Sequence, residues 1–93
     1  MSSCGFALGS IYCTPGILAL TQRHPVPLGQ LLVRHATGDW GEIGVEDWQE
    51  NDLALRAGLR LFSVYKNRNP PWTVWIITEA DRAATTLLLP EEY

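Results

Sequence analysis

Three short stretches hold the side chains of this sequence that could do chemistry. The first is Glu79-Ala80-Asp81-Arg82, set between the apolar runs "VWIIT" and "TTLLL". A carboxylate beside a guanidinium can act as a base next to an anion clamp. The same residues also suit a plain turn, in which Asp81 accepts from nearby backbone and Arg82 pairs with Glu79. The second is His35, at the end of the stripe Leu28, Leu31, Leu32, His35, spaced i, i+3, i+4, i+7. A ring there is either a hydrogen-bonded core group or, held by a carboxylate, a proton carrier near neutral pH. Asn51 and Asp52 would face the same core from the following helix, and buried polar groups need partners. His35, Asp52, Arg60, Glu79 and Arg82 together form a candidate catalytic set for a small hydrolase or ribonuclease. The third stretch is acidic. From Asp39 to Asp52 the sequence has six acids and no Lys or Arg. Asp39, Trp40, Glu42, Glu46, Asp47 and Glu50 form a candidate docking surface for a basic partner, because spaced carboxylates can imitate a phosphate backbone. An exposed Trp40 would be a hot spot of that surface, whereas a buried one would pin the loop to the core.

Charge and motif content narrow the options. The net charge is −3, and the seven basic residues are scattered without a stripe. Direct nucleic-acid binding is therefore not favoured, and the sequence pI of about 5.2 argues against a ribonuclease. With two Cys, two His and no CxxC, HxH or HExxH spacing, no metal site is expected. The sequence lacks the Gly-rich phosphate and dinucleotide fingerprints and the nucleophile elbow, so no cofactor is expected either.

The elements that must position these side chains follow from pattern. "FALGSIYC" (Phe6 to Cys13) reads as a strand. Thr14-Pro15 reads as an N-cap with proline at the first helical position, opening a helix that ends before His24-Pro25. Pro27 opens a second helix that stops near Gly38, and "GDWGEIG" is a loop. "VEDWQENDLALRAG" is the clearest helix, with acids in its first turn, Arg56 in its last and Gly58 after it. "LRLFSVY" alternates, with Leu59, Leu61, Ser63 and Tyr65 on one side and Arg60, Phe62 and Val64 on the other. "KNRNPP" reads as a turn. "WTVWIIT" is apolar on both faces, which places it centrally in a sheet. "AATTLLL" follows and ends at Pro90. The expected fold is α+β: an antiparallel three- to four-stranded sheet, built on a C-terminal meander, with two or three helices on one face.

Ninety-three residues make one domain, residues 1–93. No apolar run approaches the roughly 20 residues of a membrane span. No basic residue precedes the first apolar stretch, so no secretory leader is expected and the setting is read as cytoplasmic. That setting favours free thiols at Cys4 and Cys13 over a disulfide between them.

Taken together, "TPGIL", "GDWGE", "NDLALRAGLRLFSVY" and above all "WIITEADR" with "TTLLLPEEY" resemble a family of small bacterial proteins described as plasmid-related. The likeness runs from about Phe6 to Tyr93. It implies a gene of bacterial mobile elements and supplies no catalytic residues. By class analogy it implies a non-catalytic protein that binds a host machine, such as a defence or nucleic-acid-handling complex. The order of a helix, "RLFSVY", a threonine-acid turn and further threonines is also similar to small ribonucleases of the barnase and RelE type. That likeness would assign roles to His35, Asp52, Arg60 and Arg82. A further alternative is an oligomeric structural or accessory subunit, resting on exposed strand edges and the tryptophans.

Overall fold

The computed structural model describes residues 5–93; Cys4 lies outside them. The order is β1 (Ser10–Cys13), α1 (Pro15–Arg23), α2 (Leu28–Ala36), α3 (Val45–Ala57), β2 (Leu61–Arg68), β3 (Pro71–Thr78) and β4 (Ala84–Leu88), closed by a 3-10 turn, Pro90–Glu92. This is the expected α+β arrangement. One four-stranded sheet runs β1-β4-β3-β2. The meander β2–β3–β4 is antiparallel, with Leu61 opposite Thr78 and Thr78 opposite Thr85. The sheet as a whole is mixed, however, because β1 runs parallel to β4. Alternation tells which residues share a face, not the direction of a strand beside a neighbour distant in the chain. β2 and β3 also extend further than expected. Lys66 to Arg68 continue the ladder, and only Asn69 and Pro70 form the turn.

Local chemistry explains the helices. The Thr14 side chain accepts from the Ile17 amide, and Pro15 occupies the first helical position. α3 ends at Gly58 in the left-handed region, φ 72°, where a Cβ is costly. α1 and α2 bury Ile17, Leu20 and Leu31 against Tyr65, Val74, Ile76 and Leu87, which share one face of the sheet. α3 lies along the outer edge of β2, where Ala54 joins Trp40 and Leu61 in a second, smaller core.

The two sheet edges differ. Along β2, the Asn51 side chain accepts from the Phe62 amide (3.1 Å) and donates to the Phe62 carbonyl. Two residues on, Val64 exchanges backbone hydrogen bonds with Trp40 and Glu42. The outward groups of Phe62 and Val64 are thus taken up from outside, and beyond them the exposed Lys66 and Arg68 side chains put charge on the edge, which opposes pairing with another chain. β1 forms the other edge and is exposed along all four residues.

The face opposite α1 and α2 carries Phe62, Val64, Trp75, Ile77 and Leu88. Register sets Phe62 beside Ile77, and Trp75 between Val64 and Leu88. The 3-10 turn brings Tyr93 onto this face, edge-on to Trp75 at 5.6 Å between ring centroids. Glu92 fastens that turn. Its carboxylate accepts from the Thr14 hydroxyl, the Gly16 amide (2.9 Å) and the Leu89 amide (2.8 Å). Those bonds, Thr14's first, hold the Glu92 carboxyl below its ordinary range.

Candidate functional site

His35 is fully buried and sits at the centre of a polar chain. Its Nδ1 meets the Ser63 hydroxyl, and its Nε2 lies 2.8 Å from Thr78 Oγ1. Thr78 Oγ1 lies 2.7 Å from Thr85 Oγ1, which donates to the Leu8 carbonyl at 2.7 Å. A carbonyl only accepts, so the direction of every bond follows. Thr85 gives its proton to Leu8, Thr78 gives its proton to Thr85, and Thr78 must therefore accept from His35. Nε2 carries the ring proton, Nδ1 accepts from Ser63, and each link of the chain has a donor and an acceptor. Burial, and then the charge of Arg82, lower the ring's pKa to about 4. Phe6 and Trp40 close over it edge-on at 5.3 and 5.6 Å. The ring is neutral, satisfied and sealed.

The other members of the candidate catalytic set lie elsewhere. Asp52 does not meet His35 or Asn51, as the sequence implied; it accepts from the Trp40 indole nitrogen at 3.0 Å. Arg60 pairs with the Glu79 carboxylate at 3.5 Å, with both side chains about half exposed. Arg82 does not pair with the Glu79 carboxylate. Its guanidinium donates to the carbonyls of Leu59 (2.6 Å), Glu79 (3.1 Å), Ala80 (3.3 Å) and Ala54 (3.3 Å), tying the hairpin to the end of α3. Asp81 accepts from the Ala83 amide at 2.9 Å, as expected of a turn. The charged knot is a joint between sheet and helix, and the five side chains do not line one cleft.

The acidic stretch divides in two. Asp39 and Trp40 belong to the scaffold. Arg34 grips Asp39 with two nitrogens, at 2.7 and 3.2 Å, and lies 4.7 Å over the Tyr65 ring. The Arg34 hydrogen bond holds the Asp39 carboxyl below its usual range. Burial pushes the Tyr65 hydroxyl up to about 12, and it donates to the Asp39 carbonyl at 2.7 Å. Trp40 is fully buried, which overturns its reading as an exposed hot spot. Glu42, Glu46, Asp47 and Glu50 are exposed, and none forms an ion pair among the described residues.

Sequence reasoning missed an aromatic cleft. Arg60, Phe62, Trp75, Ile77 and Tyr93 enclose about 360 Å³ on the open sheet face. Phe62 and Trp75 stand perpendicular at 4.9 Å, and Arg60 lies 5.8 Å over the Tyr93 ring. A second groove of about 770 Å³ shares Arg60 and Phe62 with the cleft and runs to Asp47, Glu50 and Leu53 on α3. The signal was available in β3, which is apolar on both faces, while the sequence offers helices for only one. A groove with carboxylates at one end and aromatic edges at the other can hold a chain segment that is cationic and apolar by turns.

Compared with known family models, with curated proteins and with solved structures, the chain matches none. No helix among the described residues is long and apolar enough to cross a membrane.

Proposed function

We propose that this chain is a small non-catalytic binding protein that docks a basic protein partner along the α3 groove and the aromatic cleft. One observation carries the reading. Glu42, Glu46, Asp47 and Glu50 stand exposed and without cationic partners among the described residues, and Asp47 and Glu50 border a groove that continues into an uncovered aromatic face. Like charges at i, i+3 and i, i+4, as in Asp47–Glu50 and Glu46–Glu50, cost about 0.2–0.5 kcal/mol each. The helix dipole offsets this in the first turn but not at Glu50. Exposed charge that forms no ion pair among the described residues, and that at Glu50 costs the helix stability, suits steering toward a cationic surface. The aromatic rings beside it supply the apolar anchors that most interfaces concentrate their energy in.

The resemblance to plasmid-related bacterial proteins supports a mobile element as the setting and a host defence or nucleic-acid-handling complex as the target. Inhibition of such a complex by occupying its cationic surface is the mechanism this implies. The test is quantitative capture from a bacterial host extract, with Glu42→Gln, Glu46→Gln, Asp47→Asn and Glu50→Gln combined. Asp39 is left intact because Arg34 holds it. The expected result is loss of the captured set with an unchanged circular dichroism spectrum. Undiminished capture would refute the role of the acids.

A further inference from the structure

We infer that β1 is a self-association edge, and that two copies of this chain pair antiparallel through Ser10–Cys13 to form one continuous eight-stranded sheet. The Ser10 amide bonds to the Ala83 carbonyl and the Thr14 amide to the Leu87 carbonyl, so alternate residues of the strand face β4. Ile11 and Cys13 therefore turn their amides and carbonyls outward. Among the described residues, nothing on this edge does for them what Asn51 and the Trp40–Glu42 backbone do along β2. The segment carries no charge and no proline, the two devices that ordinarily blunt an exposed edge.

The side chains support the same occupant. Ile11 is 48%, Tyr12 56% and Leu18 53% exposed, and all three lie on β1 or on α1, which packs beside it. A standard interface takes about 800 Å² from each partner. That is about a seventh of this chain's 5544 Å² surface, more than four strand residues offer, so the outer side of α1 must join the contact. Charge on the strand does not oppose a second copy. The exposed acids Glu42, Glu46, Asp47 and Glu50 sit beyond β2, at the far edge of the sheet, and Ser10–Cys13 carries none, although Glu92 lies on Thr14 and Gly16 where β1 meets α1.

Register follows from the outward groups. Ile11 of one copy exchanges both backbone bonds with Cys13 of the other, and the two-fold axis passes between the Tyr12 residues. Tyr12 lies on the same face as Thr86 and the aromatic cleft, so pairing would join the open faces of both copies. The inference is independent of the proposed docking groove, which lies at the opposite edge.

Light scattering and sedimentation from about 1 to about 100 μM give the test. The expected mass is twice the chain's 10.4 kDa. Ile11→Lys should return it to the single-chain value, while Val33→Lys, at a still more exposed site on α2, should leave the dimer intact. Tyr12→Cys, made with Cys4→Ser and Cys13→Ser, should cross-link between copies on mild oxidation, because opposed non-hydrogen-bonded residues bring Cα atoms to about 4.5 Å, within disulfide range. The cross-link keeps the test decisive even if Ile11→Lys does not fold. A single-chain mass across the range, or a dimer with no Tyr12→Cys cross-link, would overturn the inference.

Discussion

Acidification should destabilise this protein through one buried ring, His35. His35 titrates at about 4 in the fold against an ordinary 6.5, because burial and then Arg82 disfavour its charged form. The unfolded chain binds that proton more tightly, so unfolding takes up a proton between those two values. Stability is fully present above pH 6.5, falls as pH drops through the window, and levels off below the folded value. Each tenfold difference in proton affinity is worth about 1.4 kcal/mol, so the whole effect is about 3 kcal/mol, with about 2 kcal/mol of it lost between pH 7 and pH 5. Asp39 and Glu92 are lowered from carboxylate values of 3.8 and 4.5 and lose their contributions mainly below this interval. For a chain of this size the loss corresponds to about 8–16 °C in melting temperature. The assay is urea unfolding at half-unit steps from pH 7 to pH 5, run beside His35→Gln. A glutamine amide can donate to Thr78 and accept from Ser63 without titrating. The variant should be less stable at pH 7 yet show a flat profile over the interval where the parent slopes. Parallel slopes in the two proteins would refute the argument, and so would a nitrogen-15 spectrum placing the ring proton on Nδ1.

Four further outcomes follow from the same contacts. Asn51→Leu strands the Phe62 amide and carbonyl at the β2 edge; it should cost about 1–3 kcal/mol in urea unfolding and raise light scattering on storage, since the edge is opened. Gly41→Ala should be more damaging, by more than about 3 kcal/mol, because φ is +81° and an added Cβ would collide with the Val64 carbonyl; thermal melts will show it. Glu92→Gln should lower the melting temperature by loosening the C-terminal turn from the start of α1, with a smaller effect in high salt. The four-fold acid variant should change stability by less than about 1 kcal/mol in either direction, because relief of the like-charge pairs at Glu50 is set against the loss of Glu46 and Asp47 from the first turn of α3; a marked loss in chemical unfolding would mean those acids are structural.

Much of the architecture could be read from local signals. Thr14-Pro15, Gly58 and the alternation of Leu61, Ser63 and Tyr65 each act over a few residues, so the sequence carries them openly. Pattern put Ser63 on the same side of its strand as Leu61 and Tyr65, and His35 on the apolar stripe of its helix, but did not bring the two together, because their partnership depends on how α2 crosses β2. Asn51 was expected to satisfy another polar side chain and instead completes a strand edge, a role visible only once α3 lies beside β2. Trp40 could be read as exposed or buried, and the grip of Arg34 on Asp39 together with the Asp52 acceptor decides for burial. The aromatic cleft was hidden for a different reason. Tyr93 reaches Trp75 only because Glu92 docks on α1, a contact that spans nearly the whole chain.

The docking surface can be tested most directly by following backbone amide resonances of the isotope-labelled protein as the captured partner is added. The account predicts that shifts and broadening concentrate on Glu46 to Leu53, on Leu59 to Phe62, and at Trp75 and Tyr93, and weaken as salt rises. A footprint confined to α1 and α2, or one that leaves both the α3 groove and the aromatic cleft unperturbed, would contradict it.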